Sequence, residues 1–250
     1  MVTAMDKRAY IVQNKVTSTI LPLKERFLNN TDYPDDMFIN GETAKSLVDN
    51  NTMLVVVDCD RPSIIDEPDL LTMVKTIVVF DHHRHSSETI QGAVLSYCEP
   101  YASSASELIA EMMQYIREGI KAKPIEADCM YGGIVIDTRE FTNQTGVRTF
   151  EAAAYLRRCG ADIVRIRKIF REDFSDYQAK AHAISAADIY RNAFALSSVE
   201  RAGSESPTVL CAKAANELLN IRGIKASVVL TKVEDTVFLS ARSIDEVNVQ

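Results

Sequence analysis

The sequence predicts an α/β fold: a mostly parallel sheet with crossover helices, followed by a smaller α+β unit. Three observations predict it. The runs TMLVVVD (52–58) and TIVVFD (76–81) are continuously apolar and β-branched, as strands buried on two faces must be. Helical patterns separate and follow apolar runs through the first half, the usual spacing of parallel strands and their crossovers. Beyond about residue 190 the pattern changes to strand, helix and two closely spaced strands.

Taken in order, AYIVQ (9–13) reads as a first strand, and 52–58 and 76–81 as the second and third. The latter two end in Asp58 and Asp81. Ligands of an open parallel sheet collect beyond the carboxyl ends of its strands, so two aspartates delivered there point to a site. In SSASELIAEMMQYIREG, Ser104 and Glu107 fit a capping box, and Leu108, Met112, Tyr115 and Ile116 form a helical stripe before Gly119. IEADCMYGGIVID follows Pro124 as a helix and carries Asp137 to its carboxyl end. VRTFEAAAYLRRCG reads as a helix stopped by Gly160. Residues 161–190 are helical, rich in charge and free of Gly and Pro, which suits connecting helices. AFALSSV (193–199) is strand-like, a Gly/Ser/Pro break covers 203–207, and CAKAANELLN is helix-like. ASVVLTK (226–232) and TVFLSARS (236–243) complete the chain as strands. The expected boundary lies near 187, giving units 1–187 and 188–250.

Composition narrows the class. At 250 residues, 46% hydrophobic and 25% charged, the chain is an ordinary globular one, long enough for one large or two ordinary domains. Its longest apolar runs are about five residues, far below the ~20 of a spanning helix. The opening MVTAMDKRAY lacks an apolar core of signal-peptide length. Cys59, Cys98, Cys129, Cys159 and Cys211 are scattered, with no CxxC pair, so neither a zinc knuckle nor a disulfide framework is signalled. Reduced cysteines in a cytoplasmic domain are the expectation. A net charge of −7 argues against long nucleic acid as a partner and is compatible with a small anionic ligand held by local cations or bound metal.

The chemistry-bearing set is Asp58, the triplet Asp81-His82-His83, and Asp137. Hard divalent cations favour carboxylate oxygens, and imidazole joins them where Mn²⁺ is preferred. A pair of cations ~3.5–4 Å apart, bridged by a carboxylate, activates water and neutralises charge developing on phosphate. A lone strand-terminal Asp is usually a turn or cap residue; Asp-His-His directly after a strand is rarer. Cys59 could offer a thiol, but hard metals disfavour sulfur and its side chain alternates away from that of Asp58, so it reads as packing. Arg157, Arg158, Arg165, Arg167, Lys168 and Arg171 read as a solvated helix face beside Glu172 and Asp173. Met112, Met113 and Met130 read as core fillers.

Several segments, taken together and in order, resemble one family: VVVDCDRPS (55–63), VVFDHHR (78–84), EPYASSASELIAEMMQYI (99–116), GGIVIDTREFTNQTGVRTFEAAAYLRRCGAD (132–162) and LSARS (239–243). They are similar to the DHH phosphoesterases with a DHH-associated domain, above all the cyclic-di-AMP phosphodiesterase branch. The resemblance implies a Rossmann-like catalytic domain and a smaller substrate-holding domain. It implies hydrolysis of cyclic di-AMP to linear pApA with a Mn²⁺ pair, Mg²⁺ being an alternative. On that pattern Asp58 bridges the metals, His82 and Asp137 ligate one, Asp81 orients the histidines and His83 faces the scissile phosphate. Arg148 and Arg242 become candidate clamps for phosphate or base, against the plainer reading of a surface cation or salt bridge.

The family commonly has His two residues after the bridging Asp, where this chain has Asp60. The family's first metal motif, a His with a DxD-type pair, and its glycine-rich GGGH segment have no counterpart here. The expectation is therefore a chain cut at both ends that alone binds Mn²⁺ weakly and hydrolyses little. Short-oligonucleotide or 3′-phosphoadenosine-phosphate hydrolysis is the alternative activity, and a non-catalytic nucleotide-binding or dimerisation module the alternative class. The resemblance is compatible with a homodimer and with a membrane-anchored parent.

Overall fold

Apolar strands alternating with helices produce a parallel sheet in the first part of the chain. The structure, a computed structural model, describes residues 7–17, 20–84, 88–116, 119–199, 207–244 and 247–249. Backbone contacts divide the chain into two units, Met1–Phe170 and Arg171–Gln250.

The first unit runs β1 (Ile11–Val12), α1 (Leu21–Leu28), β2 (Phe38–Ile39), α2 (Gly41–Leu47), β3 (Met53–Val57), α3 (Leu70–Met73), β4 (Thr76–Asp81), β5 (Leu95–Cys98), α4 (Ala105–Met113), α5 (Pro124–Asp137), α6 (Val147–Arg158) and α7 (Ile163–Ile169). β1 and β2 form a small parallel pair. β3, β4 and β5 form a parallel sheet in that order, with Val57 opposite Phe80 and Asp81 opposite Cys98. The strand expected at 9–13 contracts to two residues, too few to bury an alternating face. β5 went unforeseen because LSYC is short and mostly exposed.

β4 is buried as its composition demands, with Val79 fully covered. β3 is not: Met53 and Val57 are 49% and 53% exposed. Among the described residues β3 is an edge strand of its sheet, as β5 is, and the expectation of two covered faces fails there.

The helices pack on each other through Met113, Ile134, Leu156 and Ile166, all essentially buried, each contributing about 1.5–3 kcal/mol relative to exposure. The capping signal at α4 is partly realised. Ser104 Oγ accepts from Glu107 N at 3.0 Å, while the Glu107 carboxylate reaches back to Ser103, 2.5 Å from its hydroxyl, rather than to Ser104. Gly160 ends the region of α6 as expected: it has φ +101°, and a Cβ there would lie 3.2 Å from Pro124. The buried Asp128 of α5 pairs with Arg26 at 2.7 Å and Arg165 at 2.8 Å, and accepts from Asp162 N at 2.7 Å. Arg165 is thus tied to an interior carboxylate, and Arg157 donates to the Ala161 carbonyl. The basic cluster is only in part a solvated face.

The second unit runs α8 (Phe174–Ser185), β6 (Asp188–Tyr190), β7 (Phe194–Val199), α9 (Pro207–Leu219), β8 (Ala226–Val233) and β9 (Thr236–Ser243). Its sheet has the order β6-β7-β8-β9, parallel between β7 and β8 and antiparallel at both flanks. Leu218, Ala214, Ala215 and Val229 are fully buried between α9 and the sheet. Ala183 of α8 joins that core, so α8 belongs to this unit and the contact boundary falls upstream of 187. α9 starts at Pro207, and residues 203–206 of the expected break lie outside the described residues. No helix among the described residues is long and apolar enough to cross a membrane.

Candidate metal centre

The carboxyl edge of the β3–β4–β5 sheet collects the predicted side chains. Asp58 follows β3 directly, its backbone N–H held by the Phe80 carbonyl at 2.8 Å. It sits at φ +64°, a left-handed conformation that Asp tolerates better than most residues with a Cβ. His82 and His83 follow the last residue of β4. Asp137 is the last residue of α5. Two adjacent glycines let α5 approach its neighbours: a Cβ on Gly133 would lie 2.5 Å from Ser106 Oγ of α4, and one on Gly132 3.0 Å from the Phe170 ring. Thr138 then closes the helix, donating to the Ile134 carbonyl at 2.6 Å and accepting from Phe141 N at 3.0 Å. Arg139, Glu140 and Phe141, which follow it, are all left-handed.

The geometry is centred on His82. Its Nε2 lies 3.3 Å from Asp58 Oδ1 and 3.9 Å from Asp137 Oδ2. Asp58, His82 and His83 each offer one ligand atom within 4.8 Å of the others, and Asp137 adjoins this group through His82. The Asp58 hydrogen bond raises the His82 pKa against the lowering by burial, with both carboxylate charges adding to the rise. Burial raises that of Asp137, and the Asp58 charge adds to it, against His82 and His83. Two carboxylates and an imidazole gathered where burial penalises the charge of Asp137 fit a divalent cation, whose charge would relieve both effects. Asp58 and Asp137 also line a cleft of about 370 Å³ whose walls include Val57, Ile109 and Met130.

Asp81 lies beneath, with its side chain 1% exposed. Its Oδ1 accepts from His82 N at 2.8 Å and His83 N at 3.3 Å, and lies 2.7 Å from His83 Nδ1. The His83 ring is half exposed. Arg148 is brought near this region but engaged: its guanidinium contacts Glu111 Oε2 at 2.6 and 3.2 Å. Arg242 lies on β9 of the second unit, where its Nη1 donates to the Ala241 carbonyl. Cys59 packs beside the β3–β4 core and exchanges contacts with the Arg61 backbone, as packing rather than ligation requires. Sequence reasoning missed the proximity of Asp60 and Cys98 to Asp81; the register of β5, which it did not see, is the signal that would have found it.

A parallel sheet whose strand ends gather carboxylates and imidazoles defines the class as an α/β protein with a candidate divalent-metal centre. The chain belongs to the DHH family: the model of the DHH family, N-terminal domain, matches residues 9–134. It is 44% identical over 216 residues to the cyclic-di-AMP phosphodiesterase GdpP of Geobacillus thermodenitrificans (strain NG80-2), covering 85% of this chain and 32% of that protein. To GdpP of Bacillus subtilis (strain 168) it is 41% identical over 85% of this chain and 33% of that one. To the cyclic-di-AMP phosphodiesterase PdeA of Listeria monocytogenes serotype 1/2a (strain 10403S) it is 36% identical over 98% of this chain and 37% of that one. The chain thus spans about a third of the length of these relatives. An exopolyphosphatase-related protein from Bacteroides fragilis shares the fold, with a TM-score of 0.79 at 19% identity over 98% of this chain and 72% of that one.

Proposed function

We propose that the chain carries a metal-dependent phosphodiesterase centre whose substrate is cyclic di-AMP, opened to linear pApA. The observation that carries this is the position of His82 Nε2 between Asp58 and Asp137 at a sheet edge, in a chain similar over most of its length to three proteins named for that activity. Asp58, His82 and Asp137 would hold Mn²⁺, the oxygen-plus-imidazole donor set being suited to it, with Mg²⁺ the alternative. The cation supplies, when bound, Lewis-acid polarisation of the phosphate and a lowered pKa for water.

The chain's own residues do the rest. Asp81 fixes the His83 ring, leaving its exposed face for a non-bridging phosphate oxygen. Water adds to phosphorus, the bond to the 3′ oxygen breaks, and the proton taken from water ends on that leaving oxygen. The apolar walls of the cleft beside Asp58 and Asp137 suit a nucleoside more than bare polyphosphate. Residues 188–250 we read as the substrate-holding domain, on the family resemblance, with Arg242 as its candidate cation. Arg148 would have to leave Glu111 to reach a phosphate.

Mn²⁺ titration followed by the resonance of the free ion, then incubation with cyclic di-AMP, pApA and 3′-phosphoadenosine-phosphate, tests this reading. Mn²⁺ is expected to bind the wild type weakly, as a chain with part of the ligand set should, to bind Asp58→Asn more weakly still, and to support slow turnover of cyclic di-AMP, above that of the other two. Preference for 3′-phosphoadenosine-phosphate would replace the substrate assigned here. Mn²⁺ affinity indifferent to both Asp58→Asn and His82→Ala would overturn the centre itself.

A further inference from the structure

The cleft beside Asp58 and Asp137 is walled by apolar side chains, among them Val57, Ile109, Met130 and Ile136. Among the described residues that line it, Ser106 alone has an uncharged polar side chain. Apolar pockets fix the orientation of a ligand through a few placed polar groups, and Ser106 is such a group. It stands in the first turn of α4, next to two serines already engaged within that turn. Ser104 Oγ accepts from Glu107 N at 3.0 Å, and the Ser103 hydroxyl donates to the Glu107 carboxylate at 2.5 Å. The Ser106 hydroxyl, half-buried, has no hydrogen-bond partner among the described residues.

The facing helix leaves that hydroxyl uncovered. Gly133 of α5 lies against it, and a Cβ there would stand 2.5 Å from Ser106 Oγ. The backbone of Gly133 is ordinary helix, so space is what requires glycine at this position. Asp137 follows one turn later on the same face, ~6 Å further along the axis. Helical side chains tilt toward the N-terminus, so the Asp137 carboxylate leans back over the gap that Gly133 leaves. Ser106 therefore looks into the cleft about one helical turn from a residue of the candidate metal centre.

Resting on the phosphodiesterase reading above, we infer that Ser106 is a specificity residue: its hydroxyl bonds the ribose 2′-hydroxyl beside the scissile phosphate and favours ribonucleotides over deoxyribonucleotides. The chemistry of the substrate class leads there. A phosphate placed for hydrolysis at Asp58, His82 and Asp137 carries the sugar's 3′ carbon on an ester oxygen, and the 2′-hydroxyl sits on the adjacent carbon. That hydroxyl falls within about one helical turn of the centre, while the base extends further along the apolar walls. A serine hydroxyl both donates and accepts, so it pairs with another hydroxyl in either sense. The 2′-hydroxyl is the group by which a protein tells ribose from deoxyribose. Because Ser106 is only half-buried, water can replace a missing partner, and the preference is several-fold instead of absolute.

Turnover of cyclic di-AMP and of its 2′-deoxy counterpart by the whole chain in Mn²⁺, beside a Mn²⁺ titration of Ser106→Ala, tests this. The wild type is expected to show a kcat/KM about fivefold higher for cyclic di-AMP, chiefly through KM. Ser106→Ala is expected to bring that ratio below about twofold by loss on cyclic di-AMP, with Mn²⁺ affinity unmoved. A wild type indifferent to the 2′-hydroxyl would overturn the inference and leave the phosphodiesterase reading intact. So would a preference undiminished in Ser106→Ala, or a loss in that variant equal for both dinucleotides. A fall in its Mn²⁺ affinity would assign the serine to Asp137 and not to the sugar, and overturn the inference as well. A wild type that turns over neither dinucleotide would instead overturn the phosphodiesterase reading, and the inference with it.

Discussion

At the carboxyl edge of the β3–β4–β5 sheet the strand ends carry Asp58, Asp81 and Cys98, whereas β7 and β8 of the second unit end in Val199 and Val233. Parallel strands deliver every carboxyl end to one edge, so residues distant in sequence converge there. In the second unit the flanking strands β6 and β9 are antiparallel, and their ends go to the opposite edge. Its interior is instead a dry contact between α9 and the sheet, with Leu218 and Val229 fully covered. One unit gathers carboxylates and imidazoles at its strand ends; the other carries its left-handed residues Arg191, Asn192 and Glu234 in the turns between strands and gives its sheet face to packing.

That contrast can be broken by substitution. The largest effect belongs to the strand-end carboxylates. Asp58→Asn and Asp137→Asn should each weaken Mn²⁺ binding by at least about 100-fold in a titration, since even indirect partners of a metal cost that much. Asp137→Asn should not lower stability, because burial already disfavours the charged form of that carboxyl. A destabilised Asp137→Asn variant would show that the residue is structural.

Next comes the dry core. Leu218→Ala should cost about 3 kcal/mol in urea denaturation, the ordinary result of opening a cavity at a buried leucine. Mn²⁺ affinity should not move. Asp128→Ala should cost about 2 kcal/mol, less than a fully buried ion pair, because Arg26 and Arg165 both reach solvent once released. Its effect sits in the first unit and should be insensitive to metal.

The smallest effect carries a pH signature. Burial raises the Glu172 pKa, but hydrogen bonds from Lys180 at 2.6 Å and contact with Lys213 at 3.0 Å outweigh it and leave the pKa depressed. A carboxylate depressed on folding adds stability above its unfolded value, and the addition is lost as pH falls through the folded one. Glu172→Gln should therefore cost about 1 kcal/mol at neutral pH, and the difference from wild type should close as pH drops below 4.5, the ordinary glutamate value. A gap that persisted in acid would assign the loss to shape rather than charge.

Much of the site was legible because its residues sit at chemically marked places. Asp58 and Asp81 end apolar runs, the His pair follows at once, and Asp137 ends a helix introduced by a proline. What stayed hidden lacks local marks. β5 is too short and too exposed to show a period, so Cys98 read as one of five scattered thiols. α8 reads as a connecting helix until Ala183 is seen inside the second core. Arg148 read equally as a phosphate clamp and as a surface cation or salt bridge, because Glu111, 37 residues away, gives no signal of its reach.

The sequence by itself determined the alternation of strands and helices, the aspartates at strand ends and the membership of a family, because periodicity and residue chemistry are local properties. Only the tertiary structure decided which ends lie side by side. It brought His82 between two carboxylates from separate elements, left β3 at an edge of its sheet among the described residues, and set a cysteine beside a buried acid pair. Register and burial are set by packing between distant segments, and no window along the chain contains them.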